Sequence, residues 1–192
     1  GAIPGNALSV EDTLLRIGEC RSWLVMKNIE RSAQYSALLQ ESLAALDAVI
    51  RLVFPRVSGL EGFLFVSSPG SVTPFHIDPE HNFLFQIRGT KTIHIFDRDD
   101  RDVLSERQIE ASCFGAHRNL PYRDEFEPRG QTFTLGPGDG LYFPVRAPHW
   151  VQNGADVSVS YSFTFRSSAS ERERKAAFVN ALLRRGGLAP RP

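Results

Sequence analysis

The chain has 192 residues, 42% of them hydrophobic, and balances 22 Lys and Arg against 22 Asp and Glu. That length predicts a single domain able to bury a core around a pocket, and the neutral balance excludes nucleic-acid or membrane binding driven by bulk charge. Any attraction for a charged substrate must be local. Cys20 and Cys113 stand far apart without metal-type spacing, and there is no signal peptide or long apolar run, which predicts a soluble, cytoplasmic protein. The opening Gly1-Ala2, in place of methionine, reads as a piece of something longer.

In chain order, Ser9 through Glu19 starts with Ser9 and Asp12 at capping-box spacing and reads as a short helix, and SWLVMKNI (22–29) reads as a strand. From Ala33 to Val53 the residues Tyr35, Leu38, Leu39, Leu43, Leu46, Val49, Ile50 and Val53 recur three and four apart, an amphipathic helix that Pro55 stops. Eight short strands follow at 61–68, 73–78, 82–88, 91–97, 131–135, 140–145, 149–153 and 157–165, most of them separated by turns carrying Gly, Pro or Asn. Ser170 and Glu173 are spaced as a capping box for a last helix, 170–185, with Phe178, Val179, Leu182 and Leu183 on one side and Gly186-Gly187 at its end. The fold predicted is mainly β with flanking helices: a helical part over 1–55, then a jelly-roll or cupin-type barrel over 60–166. The strandless segment 98–130 is too long for an ordinary connection. It is either a charged, solvated excursion with one helical turn around SERQIEA or a lid facing substrate.

The stretch TPFHIDPEHNFLFQIRGTK (73–91) puts polar groups where a core is expected. Strand alternation sets His76 and Asp78 on one face of FHID, with Phe75 and Ile77 on the other. A lone histidine is more often a hydrogen-bonded core residue than a ligand, and the pair alone is a weak signal. A third donor, His149, lies where a barrel would return the chain. Two histidines and a carboxylate on one side of an ion form the facial triad of non-haem Fe(II) oxygenases, with positions left open opposite. Further on, Asn82, Leu84 and Gln86 share a face more polar than that of Phe83, Phe85 and Ile87, and Lys91 opens the next strand. That polar face predicts a ligand, and a cation there could pair with a dicarboxylate.

The ordered motifs T-P-x-H-x-D, N, Q-I-x-G-x-K, P-G-D-x-L-Y-x-P and H-x-V-x-N, spread over 60–166, resemble the jumonji-C (JmjC) and cupin-like branch of the Fe(II)/2-oxoglutarate oxygenases. The nearest likeness is to the asparaginyl hydroxylase that inhibits hypoxia-inducible factor. The resemblance implies a double-stranded β-helix, Fe(II) held by His76, Asp78 and His149, and 2-oxoglutarate bound by Thr73 and Lys91 with Asn82 in the same pocket. Ser162 stands where the hydroxylase has an asparagine near the co-substrate, and Arg166 is the runner-up anchor for the carboxylate. The reaction implied is hydroxylation coupled to conversion of 2-oxoglutarate into succinate and carbon dioxide, on a protein or peptide side chain or a small metabolite. The competing classes are a metal-binding cupin without 2-oxoglutarate and a non-catalytic regulatory module. His94 reads as structural, and His81 as able to meet substrate but not metal. The apolar side of the last helix predicts a homodimer through it, by analogy with the same hydroxylase.

Overall fold

A computed structural model describes residues 7–54 and 56–190, so the expectations at Gly1-Ala2 and Pro55 lie outside the described residues. The helices are α1 (Val10–Leu15), α2 (Ala33–Val53), α3 (Glu106–Ser112) and α4 (Ser168–Arg185). The strands are β1 (Trp23–Lys27), β2 (Ser58–Ser67), β3 (Val72–His76), β4 (His81–Arg88), β5 (Lys91–Phe96), β6 (Gly130–Leu135), β7 (Gly140–Phe143), β8 (His149–Asn153) and β9 (Ser158–Arg166). Two wholly antiparallel sheets result, in the orders β1-β2-β9-β4-β7 and β3-β8-β5-β6. This is the jelly-roll arrangement that the strand count predicts.

Alternation along the central strand β9 divides the molecule into layers. Tyr161, Phe163 and Phe165 face α2, where Leu39, Ile50, Tyr35, Leu43 and Leu46 cover them. Leu38, Val49 and Val53 stay exposed, so the apolar stripe on α2 is narrower than its periodicity predicts. Phe163 and Phe165 have no exposed surface, and truncating such a side chain typically costs about 3–5 kcal/mol. The opposite parity of β9 supplies buried Ser158, Ser160, Ser162 and Thr164. Leu84, Ile93, Leu135 and Phe143 form a cluster that joins strands of both sheets.

The second sheet is covered by the segment 98–130. Val103 and Phe126 pack on Phe75 and Phe96, while Leu104 and Ile109 pack with Ile77 and with Ala177 of α4. The segment is therefore a folded cover and not a solvated excursion. Its helical turn, α3, is held by a Ser105–Gln108 capping box. Its later part runs beside β3, with the Ile77 amide donating to the Arg118 carbonyl at 3.2 Å and the Leu120 amide to the Phe75 carbonyl at 2.9 Å.

The last helix begins earlier than the Ser170–Glu173 spacing predicts. Ser167 is the N-cap, its hydroxyl accepting from the Ser170 amide, and Ser170 supplies the return bond from the third helical position. Glu173 instead pairs with Arg98 and, at 2.5 Å, with Arg146. The helix rests on Ala177 and Ala181 and leaves Phe178, Val179, Leu182 and Leu183 exposed.

Candidate metal centre

β3 and β8 pair antiparallel, and their register sets His76 directly opposite His149. Side chains directly opposite on one face of a ladder stand about 5 Å apart, so the register alone brings the two imidazoles together. Their ring centroids are 4.1 Å apart. Asp78 is not on the strand, as simple alternation has it. β3 ends at His76, and Asp78 precedes Pro79, which cannot donate to a ladder. The turn around Asp78 is tied to the chain leading into β8 by the Arg146 amide, which donates to the Asp78 carbonyl at 2.8 Å. That bond brings both ligand-bearing segments to one place.

The Asp78 Oδ2 atom lies 3.8 Å from Nε2 of His76 and 3.8 Å from Nε2 of His149. Both separations are too long for a hydrogen bond. Three potential ligand atoms, all within 4.8 Å of one another, thus converge without bonding each other. The remaining ring nitrogens are fixed by backbone carbonyls: Nδ1 of His76 by Pro74 at 2.7 Å, Nδ1 of His149 by Ala147 at 2.8 Å. A carbonyl can only accept, so each Nδ1 carries a proton, and the Nε2 of each ring is the atom left to offer a lone pair to the gap. Burial, and then the neighbouring His76, push His149 down to about 4, so it is neutral at pH 7. Burial opposes ionisation of Asp78, but the two histidines and then Arg118 outweigh it and hold the carboxyl below its usual range. Two imidazoles presenting Nε2 and one carboxylate are a donor set that fits a divalent metal ion.

His76 and Asp78 open onto a cavity of about 320 Å³ whose walls include Asn82, Ser162, Trp23 and Phe63. Asn82 Oδ1 and Ser162 Oγ are buried there without a hydrogen-bond partner. A buried polar atom left unpaired costs about 1–3 kcal/mol, so these two mark a place for a polar ligand. Lys91 does not line the cavity. It is 6% exposed at the start of β5, and its Nζ donates at 2.6 Å to Ser160 Oγ, two residues before Ser162 on β9. Ser160 passes the chain on to Gln86 Oε1 at 2.7 Å, and Gln86 Nε2 donates to Ser158 Oγ at 3.0 Å. Burial pushes the Lys91 ammonium down to about 8. Thr73 is exposed on β3 beside Val151 and is not part of the cavity wall. Arg166 is spoken for by Glu80 at 2.8 Å, with Glu171 at 3.6 Å.

His81 is buried outside the cavity wall, packed on Phe54 and Phe165 and bonded to the Tyr142 hydroxyl at 2.7 Å and Ser167 Oγ at 3.0 Å. His94, as read from the sequence, is structural, stacked on Trp150 and bonded to Thr132 at 2.6 Å. Sequence reasoning missed Arg118, whose Nη1 donates to Asp78 Oδ1 at 3.2 Å. It lies 40 residues away in a charged segment, and no periodicity or spacing marks it.

Residues 18–171 match the family model described as a cupin-like domain. The chain belongs to that family. Among curated proteins, this cupin-like chain is 33% identical over 139 residues to HSPB1-associated protein 1 of Bos taurus, covering 68% of this chain and 29% of that one. It is 32% identical over 106 residues to lysine-specific demethylase JMJ30 of Arabidopsis thaliana, covering 52% and 24%. It is 35% identical over 100 residues to Jumonji C domain-containing protein 5 of Drosophila melanogaster, covering 49% and 25%. The cupin-like chain spans about a quarter of the length of the curated relatives it matches. Among solved structures, oxalate decarboxylase of Lactobacillus farciminis aligns with TM-score 0.38 at 16% identity, covering 57% of this chain and 24% of that one. No helix among the described residues is long and apolar enough to cross a membrane.

Proposed function

We propose that the chain is an Fe(II)- and 2-oxoglutarate-dependent oxygenase that hydroxylates a protein or peptide side chain or a small metabolite. The observation that carries this reading is the convergence of His76, Asp78 and His149 on one gap, at the edge of a cavity with unpaired Asn82 and Ser162 atoms. Bound there, Fe(II) and the keto acid would supply oxygen activation coupled to oxidative decarboxylation. The protein's part is to hold the metal from one side and keep the other side open. The backbone carbonyls of Pro74 and Ala147 fix the rings, and Asn82, Ser162 and the deeper Lys91 receive the distal part of the co-substrate. The lysine-specific demethylase names among its relatives favour a protein side chain over a metabolite. This reading includes a cytoplasmic setting, in keeping with free Cys20 and Cys113, and pairing of two copies through the exposed side of α4.

Two observations favour a second reading, a metal cupin that does not use 2-oxoglutarate: Lys91 already has a partner in Ser160, and Thr73 faces solvent. Anaerobic calorimetry separates the two. Mn(II) followed by 2-oxoglutarate should bind in sequence, and with Fe(II) and air the protein should release succinate. Mn(II) binding with no heat from 2-oxoglutarate would install the second reading, and no metal binding would leave a regulatory module.

A further inference from the structure

Asp78 offers its two carboxylate oxygens to different partners. Oδ2 faces both histidines, at 3.8 Å from each Nε2, while Oδ1 accepts from Arg118 Nη1 at 3.2 Å. We propose that Arg118 is a positioning residue that occupies Oδ1 and so keeps Asp78 a one-oxygen ligand of the metal centre.

The inference rests on reading the triad as a metal site, and three features of the chain carry it beyond that reading. The hydrogen bond from Arg118 is the one donated to the Asp78 carboxylate among the described residues, and a carboxylate without it can turn to present both oxygens to a cation. Arg118, in contrast, is anchored by its backbone. Its carbonyl accepts from the Ile77 amide, and the neighbouring Asn119 forms a bridge with His76, so the guanidinium is delivered to Asp78 from a fixed base. The bond is also a charged one, guanidinium to carboxylate.

The consequence concerns open positions. On a six-coordinate ion, two histidines and a one-oxygen carboxylate leave three places, whereas a two-oxygen carboxylate leaves two. A chelating co-substrate and a small molecule such as dioxygen together need three. The segment 98–130 would then act as more than a cover, since it supplies the group that keeps the third place free.

The test is the proton relaxation of water around bound Mn(II), which counts exchangeable waters on the ion, measured on the whole chain as wild type, Arg118→Met and Arg118→Lys. The Arg118 side chain is 57% exposed, so the methionine variant should unfold at the wild-type temperature. Relaxivity per bound Mn(II) should fall by about one third in Arg118→Met, from three waters to two, and return in Arg118→Lys. Equal relaxivity in wild type and Arg118→Met, with Mn(II) bound to both, overturns the clamp and leaves the metal reading standing. Complete loss of Mn(II) from a folded Arg118→Met also overturns it, because a freed carboxylate should bind at least as well. If the wild type itself takes up no Mn(II), the metal reading fails and the clamp falls with it.

Discussion

In one part of the barrel interior, His76, Asp78 and His149 bring three ligand atoms together with no hydrogen bond among them. In another, deeper along β9, Lys91, Ser160, Gln86 and Ser158 run hydrogen bond to hydrogen bond. Both clusters are polar groups at least half-buried, but the first is without hydrogen bonds among its members and the second is linked throughout. A closed network stabilises the fold it sits in, whereas convergent lone pairs without a proton between them repel unless something positive enters. On the proposed reading, the first is a place for a cation and the second a floor that must give up a bond to admit a carboxylate.

The sharpest way to break that contrast is to remove a ligand. His149→Ala and Asp78→Ala should each weaken Mn(II) or Fe(II) binding more than about a hundredfold, the upper range found for groups that merely support a ligand. The fold should persist, because the strands carrying these residues keep their ladders. Anaerobic calorimetry measures it, and unchanged affinity in both variants would sink the assignment of the triad.

Next comes the floor. If Lys91 pairs with a buried carboxylate, removing its charge costs about 3–5 kcal/mol, or roughly two to three and a half orders of magnitude in affinity. Lys91→Met should therefore raise the 2-oxoglutarate dissociation constant at least about a hundredfold while leaving metal affinity nearly unchanged. Arg166→Met should do far less, because that guanidinium is already paired with Glu80 at 2.8 Å. The reverse order would move the anchor to the end of β9.

Much of this was legible in the sequence, and the exceptions share a cause. The bounds of α2 and the placing of nearly every strand follow from periodicity, which local spacing carries. The histidine pair is legible as motif, but its convergence depends on the β3–β8 register, a tertiary fact. Asp78 reads as a strand residue because alternation has no knowledge of where a ladder stops. Ser167 was hidden as a cap because serine at the third helical position did the work expected of a glutamate three residues on, and Glu173 was needed by Arg146. Arg118 was illegible, and the cover around it was legible only as a helical turn at SERQIEA, with a lid and a solvated excursion both left open. The cover is held down by Val103, Leu104 and Phe126, buried residues scattered among charges, while Arg118 itself stays exposed.

A smaller effect tests the floor as scaffold. Gly89 ends β4's turn at φ +71°, and a Cβ there would come within 2.6 Å of the Val157 carbonyl oxygen. Gly89→Ala should destabilise the fold by about 1–3 kcal/mol, read from chemical denaturation, and loosen the Gln86 bond to the Gly89 carbonyl, now 3.2 Å. An unchanged midpoint would show that the turn relaxes freely and that the floor is less rigid than its hydrogen bonds indicate.

The smallest effect is a matter of pH, and its sign distinguishes floor from metal site. Burial lowers Lys91 from 10.5 in a free chain to about 8 in the fold. The unfolded chain therefore binds more protons than the folded one between those values, so this group's burial cost is fully present below about pH 8 and is relieved as pH rises toward 10.5. Stability relative to Lys91→Met should rise over that window. Affinity for 2-oxoglutarate should move the other way, since its carboxylate needs the ammonium and binding must restore a proton lost above pH 8. With Mn(II) saturating, the dissociation constant should stay flat below pH 8 and weaken about tenfold between pH 7 and 9. His149 cannot produce that slope, because burial pushes it down to about 4, well below this range. A dissociation constant that stays level to pH 9 while stability rises would mean that Lys91 titrates in the floor but never touches the co-substrate.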